Sequence, residues 1–232
     1  MYLQITTRCN MQCRHCCYSC SPHKGKHMNY NTFLDAVRFI GDYSDQVSIG
    51  GGEPTLHPRF FDILRQCLWA FDYVWMATNG KRTKTMWRLA SILDGWDNVK
   101  DETDIVIADG KLTVALSTDY FHEAIDYDIR ETWKSRGKNK VSGYELRDVT
   151  DSYKGVINAG RARRTHNGCC DDECVCTDIF IQPDGKVKLC GCRNAPIIGS
   201  IWSGIEEKWE DIRQNDEGYR SGLCYTKVGT EK

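Results

Sequence analysis

The residues most able to do chemistry come first in the chain. Cys9-Asn-Met-Gln-Cys13-Arg-His-Cys16 sets three thiols at Cys-x3-Cys-x2-Cys spacing directly after the first apolar stretch. Three thiolates on so short a loop can hold three irons of a four-iron cluster and leave the fourth iron open to a ligand. Cys13/Cys16 and Cys17/Cys20 are also Cys-x2-Cys pairs, as in a zinc knuckle, and the loop by itself leaves both metals open. The sequence holds 13 cysteines, clustered around positions 9–20 and 169–192, with Cys67 and Cys224 apart. The start, Met1-Tyr2-Leu3-Gln4-Ile5-Thr6, lacks the layout of a secretory signal. The expected location is therefore the cytoplasm, where clustered thiols read as metal ligands and not as disulfides.

The elements that must position these thiols alternate in type. Apolar runs predict strands near 2–6, 46–50, 73–78, 112–117 and 141–149, and helical periodicity predicts helices near 31–43, 58–70, 82–94 and 122–134. Strand-helix alternation implies parallel strands with helices packed outside. The 160 residues concerned are too few for a closed eight-stranded barrel, which takes about 250. The fold class is thus α/β, a partial (β/α)6-type barrel over residues 1–162, followed by a small C-terminal domain over residues 163–232. In that domain Pro183-Asp184-Gly185 lies between apolar runs and predicts a hairpin. Residues 203–214 read as a helix with Ile205, Trp209 and Ile212 on one face.

Four strand ends carry polar or glycine-rich motifs, where parallel folds place their sites. They are the cysteine loop, Gly50-Gly51-Gly52-Glu53-Pro54, Thr78-Asn79-Gly80 and Ser117-Thr118-Asp119. The cysteine spacing after the first strand, with Gly-Gly-Glu-Pro after the second, resembles the radical S-adenosylmethionine superfamily. The resemblance implies a four-iron cluster on Cys9, Cys13 and Cys16 whose open iron takes S-adenosylmethionine. It places His15 near the adenine, Gly51, Gly52, Glu53 and Pro54 near the methionine amino group, and Ser117 and Asp119 near the ribose, with Asn79 at the third strand end. Asp119 reads equally as a helix N-cap. On the fifth strand Glu145 and Arg147 share a face; Arg147 could clamp a carboxylate, or the two could form a structural ion pair.

The tail resembles the extension called SPASM, or its shorter form Twitch, through Gly160-Arg161-Ala162, the run around Pro183-Asp184-Gly185, and Ile198-Gly199-Ser200-Ile201. That resemblance implies one auxiliary four-iron cluster on Cys170, Cys176, Cys190 and Cys224, with Cys169, Cys174 and Cys192 as substitutes. Zinc on Cys174, Cys176, Cys190 and Cys192 is the competing reading.

Composition limits the partners. Lys plus Arg (31) nearly balances Asp plus Glu (32), so no general basic field draws in a phosphate backbone. Nucleic acid is thus unsupported, and the basic stretches Lys134–Lys140 and Arg161–Arg164 read as solvated surface. No apolar run is long enough to span a bilayer. The expected activity is hydrogen abstraction from a small-molecule, nucleotide or peptide substrate, with an external electron donor such as flavodoxin or ferredoxin. A nucleic-acid-modifying enzyme would use Arg161–Arg164 as an electrostatic handle, and a non-catalytic iron–sulfur or zinc regulator would explain the cysteines but not Gly51–Pro54.

Overall fold

A computed structural model describes residues 1–95, 105, 110–148, 160–165, 179–191 and 195–205. Five parallel strands, β1 (Tyr2–Thr6), β2 (Gln46–Gly51), β3 (Tyr73–Thr78), β4 (Leu112–Ser117) and β5 (Tyr144–Arg147), alternate with α1 (Tyr30–Gly41), α2 (Phe60–Ala70), α3 (Thr83–Leu93) and α4 (Tyr127–Lys138). A short helix α5 (Gly160–Arg164) precedes β6 (Phe180–Ile181), β7 (Lys186–Lys188), β8 (Ile197–Ser200) and β9 (Gly204–Ile205). The sheet order is β5-β4-β3-β2-β1-β6-β7-β8-β9. β6 pairs parallel with the free edge of β1, and β7 to β9 follow antiparallel. Among the described residues β5 and β9 are the two edges, so the sheet stays open, as a partial barrel requires.

Side-chain alternation separates two faces. Leu3 and Ile5, Val47 and Ile49, Val74 and Met76, and Leu112, Val114 and Leu116 are buried against Phe33, Ile40, Ile63, Leu64, Met86, Leu89, Ile129 and Trp133 of the helices. In α1 and α2 the buried positions form an apolar stripe at i, i+3, i+4 and i+7 spacing, whereas α4 buries only Ile129 and Trp133. Asn29 starts α1 by accepting from the Asn31 N–H at 2.9 Å. The opposite strand residues, such as Gln4, Trp75, Thr113 and Glu145, line the concave face.

Three differences from the sequence reading have local causes. α4 starts at Tyr127, five residues later than expected, because Asp126 caps it while Asp119 holds a separate turn. β5 starts only at Tyr144, because Gly143 turns the chain with φ of 82°. The helix expected over 203–214 does not include its first residues: Gly204 and Ile205 pair with β8. The hairpin at Pro183-Asp184-Gly185 forms as expected, with φ of 79° at Gly185 and its N–H donating to Gln182 O at 2.9 Å. No described helix is long and apolar enough to cross a membrane.

Trp133 anchors α4 to this sheet. It is fully buried, stands edge-on to Tyr144 at 5.0 Å and donates its indole N–H to Val114 O at 3.0 Å. Trp133→Ala is expected to lower the unfolding free energy by about 3–5 kcal/mol. Trp133→Phe keeps a ring and gives up the donor, and is expected to lose about 1–2 kcal/mol. Urea unfolding of metal-free, reduced protein measures both.

Candidate active site

The loop leaving β1 lies directly over the end of β2. The Gly52 N–H donates to Thr6 O at 2.9 Å and the Glu53 N–H to Arg8 O at 2.8 Å. A Cβ on Gly51 would sit 2.1 Å from Thr6 O, and one on Gly52 would sit 2.2 Å from Arg8 O, so both positions require glycine. Pro54 then begins a single 3-10 turn, Pro54–Leu56, where its fixed φ suits the first helical position.

Glu53 caps that turn and ties it to β3. Its Oε1 accepts from the Thr55 N–H (3.1 Å), the Thr55 hydroxyl (2.6 Å) and the Thr78 hydroxyl (2.8 Å). Its Oε2 accepts from the Asn79 N–H at 2.8 Å. Burial raises the pKa of this carboxyl, and the hydrogen bonds from Asn79, Thr55 and Thr78 oppose the rise. Asn79 continues the chain of contacts: its side-chain amide donates to Asn10 Oδ1 at 2.8 Å and reaches Cys9 Sγ at 3.7 Å.

Cys9, Cys13 and Cys16 are half-buried on this loop and free of disulfides. Cys9 Sγ also accepts from the Met11 N–H at 3.4 Å. Burial pushes the Cys9 thiol up to about 11 and the Cys13 thiol up to about 12. Cys16 goes the other way, because the Cys20 thiol bonds to it; the same contact raises Cys20.

The other side of the loop faces the end of β4. The His15 ring lies 4.7 Å from Phe121 and 4.9 Å from His122. Asp119 Oδ1 is 2.7 Å from His122 Nδ1 and accepts from the Phe121 N–H at 3.2 Å. Burial pushes the Asp119 carboxyl up, but the hydrogen bond and charge of His122 outweigh it and hold the group below its usual range. His15 Nδ1 and Asp119 Oδ2 are both buried with no hydrogen-bond partner among the described residues. Donor atoms of Cys13, His15 and His122 lie within 4.8 Å of one another.

The structure thus gathers Cys9, Cys13, Cys16, His15, Gly51, Gly52, Glu53, Pro54, Asn79 and Asp119 at one end of the sheet, with Ser117 buried at the end of β4. α4 is capped by Asp126, and Asp119 serves its own turn. Arg147 ends β5 opposite Ser117, its guanidinium 6.0 Å from the Trp75 ring. Glu145 accepts from the Trp75 indole at 2.9 Å. Of the expected auxiliary ligands Cys190 is fully buried just beyond β7, while Cys170, Cys176 and Cys224 lie outside the described residues, as do Cys169, Cys174 and Cys192. Between the Cys17–Cys20 turn and the β6–β7 hairpin lies a cavity of about 440 Å³, with Gln4 and Lys188 in its wall.

Sequence reading did not single out Asn10, Phe121 or His122. A signal existed for His122, which stands three residues after Asp119. None existed for Asn10, whose partner Asn79 is 69 residues away.

Comparison with known proteins follows the same lines. A segment of 83 residues is 36% identical to the tungsten-containing aldehyde ferredoxin oxidoreductase cofactor-modifying protein of Pyrococcus furiosus; the match covers 34% of this chain and 23% of that protein. The crystal structure of BtrN in complex with AdoMet and 2-DOIA shares the fold, with a TM-score of 0.65 at 16% identity over 97% of this chain and 90% of that one. Streptococcus suis SuiB bound to S-adenosylmethionine aligns at a TM-score of 0.44 and 13% identity, over 99% of this chain and 67% of that one. The family model described as Radical SAM superfamily matches residues 3–124, more than half of the sequence and the site from Cys9 to His122, and the chain belongs to that superfamily.

Proposed function

We propose that this radical S-adenosylmethionine enzyme cleaves S-adenosylmethionine reductively to a 5′-deoxyadenosyl radical, which takes a hydrogen atom from its substrate. Membership implies a four-iron cluster and S-adenosylmethionine. The observation that carries the reading is the convergence, at one sheet end, of three half-buried thiols and two buried polar atoms without partners among the described residues, His15 Nδ1 and Asp119 Oδ2. A buried polar atom without a partner is costly unless a ligand satisfies it, so the site fits a polar cofactor lying beside the loop.

Cys9, Cys13 and Cys16 would hold the cluster. His15, Gly51, Gly52, Glu53, Pro54, Asn79, Ser117, Asp119 and Arg147 would surround the cofactor. When bound, the cluster supplies the electron that opens the sulfonium bond. The protein's part is positional. Asn79 and the Met11 N–H orient Cys9, Phe121 and His122 set the plane of His15, and Glu53 fixes the β2 end that closes over the loop.

The substrate is a small molecule, nucleotide or peptide, and the 440 Å³ cavity beside the loop is the size of a small-molecule site. The Pyrococcus relative modifies a cofactor by its name, which fits a small substrate. Electrons come from an external donor such as flavodoxin or ferredoxin. The segment 163–232 acts as a SPASM/Twitch-like domain with one auxiliary cluster on Cys170, Cys176, Cys190 and Cys224.

Three measurements test these assignments. Anaerobically reconstituted protein with dithionite is expected to yield methionine and 5′-deoxyadenosine, and Cys13→Ala to yield none; undiminished cleavage in that variant removes Cys13 from the ligand set. Glu53→Ala is expected to bind S-adenosylmethionine more weakly at unchanged iron content, whereas normal affinity would leave Glu53 a purely structural cap. A triple alanine variant at Cys9, Cys13 and Cys16 is expected to keep about four irons per chain, held in the tail. Zinc there, or no metal, overturns the auxiliary cluster.

A further inference from the structure

α5 grips the cysteine loop from outside the region matched by the family model, which ends at residue 124. The Arg161 guanidinium donates from Nη1 to Cys13 O at 2.7 Å and from Nη2 to Cys20 O at 2.5 Å. The Arg161 backbone N–H donates to Cys16 O at 2.9 Å, and the Thr165 hydroxyl to Arg14 O at 2.8 Å. Four carbonyls of one loop are thus taken by α5 and the residue that follows it. The approach is as close as the backbone allows: Gly160 has φ of 57°, and a Cβ there would sit 2.0 Å from Cys17 O.

The loop needs such a partner. Its own backbone bonds are long, with Cys16 N to Cys13 O and Ser19 N to Cys16 O both at 3.3 Å, and Ser19 sits at φ of 57°. A segment with weak internal bonds and a left-handed non-glycine residue holds one shape only when its surroundings impose it. A guanidinium is suited to the task, because its rigid fork fixes the separation of two acceptors where an ammonium offers one point of charge.

We propose that Arg161 is a positioning residue for the catalytic centre: by bridging the Cys13 and Cys20 carbonyls it sets the spacing of the Cys9, Cys13 and Cys16 thiols and so controls how firmly iron is held. The inference rests on the reading of these three thiols as cluster ligands. Arg161 binds the loop through backbone carbonyls, and its charge also favours the Cys16 thiolate. Within the basic run Arg161–Arg164, Arg161 is therefore turned onto the loop's carbonyls, while Arg164 is exposed.

The test compares Arg161→Gln and Arg161→Lys with wild type and with Arg164→Ala, whose side chain donates to the Ser19 hydroxyl at 3.3 Å and to no carbonyl of the cysteine loop. In reconstituted protein under anaerobic conditions, iron loss to bathophenanthroline is expected to be about tenfold faster in both Arg161 variants, the factor that one lost charged hydrogen bond supplies. Arg164→Ala is expected to lose iron at the wild-type rate. A wild-type rate in Arg161→Gln overturns the proposal, and so does full rescue by Arg161→Lys, which would make charge and not the bridge the cause. In the metal-free protein, amide hydrogen exchange over residues 9–21 is expected to quicken in both Arg161 variants while the strand amides of β1 to β4 keep their protection. That readout needs no iron: quickened exchange upholds the clamp even where wild type takes up no cluster, and unchanged exchange overturns it. Should Arg161→Gln fail to fold, Arg161→Lys stands in for it, and an unchanged exchange profile there overturns the clamp.

Discussion

The site depends on one close approach of backbone to backbone. The end of β2 and the loop leaving β1 run so near each other that a side chain at Gly51 or Gly52 would overlap Thr6 O or Arg8 O, at 2.1 and 2.2 Å. Everything at this end of the sheet follows from that contact. It brings Glu53 beneath the loop, Glu53 reaches across to Thr78 and Asn79, and Asn79 returns to Asn10 and Cys9. The polar links close a circuit through three strand ends, and each member is satisfied by the next. A buried carboxylate in such a circuit is tolerable because its acceptors are filled by neutral donors held in place by the strands.

The same burial sets the electrostatics of the thiols. Cys9 and Cys13 are raised chiefly by desolvation, with added contributions from Glu53 at Cys9 and Asp119 at Cys13. Metal-free, these two thiols are protonated at neutral pH. Iron must therefore displace protons to bind, and the free energy of binding includes that release. A preformed loop matters more under these conditions, since binding cannot also bear the cost of ordering the chain.

What the sequence disclosed and what it hid divide along range. Strand and helix positions were legible because alternation and 3.6-residue periodicity are local: β1, β2, β3 and β4 fall within a residue of the expected spans. The cysteine loop, Gly51 to Pro54 and Asp119 were legible as motifs at strand ends. The glycines were assigned to close approach of a ligand; in the structure what approaches is the β1 loop. Arg161 was read as solvated because a basic run looks the same on a surface or against carbonyls, and its partners lie 148 and 141 residues earlier. The start of α4 differs because a carboxylate can cap a helix or a turn: Asp126 caps the helix, and Asp119 accepts from Phe121 in a separate turn. Gly204 and Ile205 read as helix by periodicity, yet β8 offered an unpaired edge, and tertiary pairing overrides a short helical pattern.

Topology then fixes where Cys190 stands relative to the cysteine loop. β6 is parallel to β1 and β7 antiparallel to both, with Lys188 opposite Phe180 and Phe180 opposite Tyr2. The end of β7 therefore returns to the sheet edge where β1 begins, and Cys190 follows two residues on. Cys9 follows the other end of β1, which is 5 residues long, so the strand separates the two edges by roughly 16 Å at 3.3 Å per residue. The concave face between them carries Tyr2 stacked on Phe180 at 5.0 Å, with Tyr18 of the cysteine loop 5.5 Å from the same ring. Gln4 and Lys188 border the cavity on that face. Cys17 and Cys20 of the loop border the same cavity on one side, and Gly191, next to Cys190, on the other. That arrangement follows from β6 adding to β1 and not to β5: at the far edge, the tail's cysteine would face Arg147 with four strands between it and the loop.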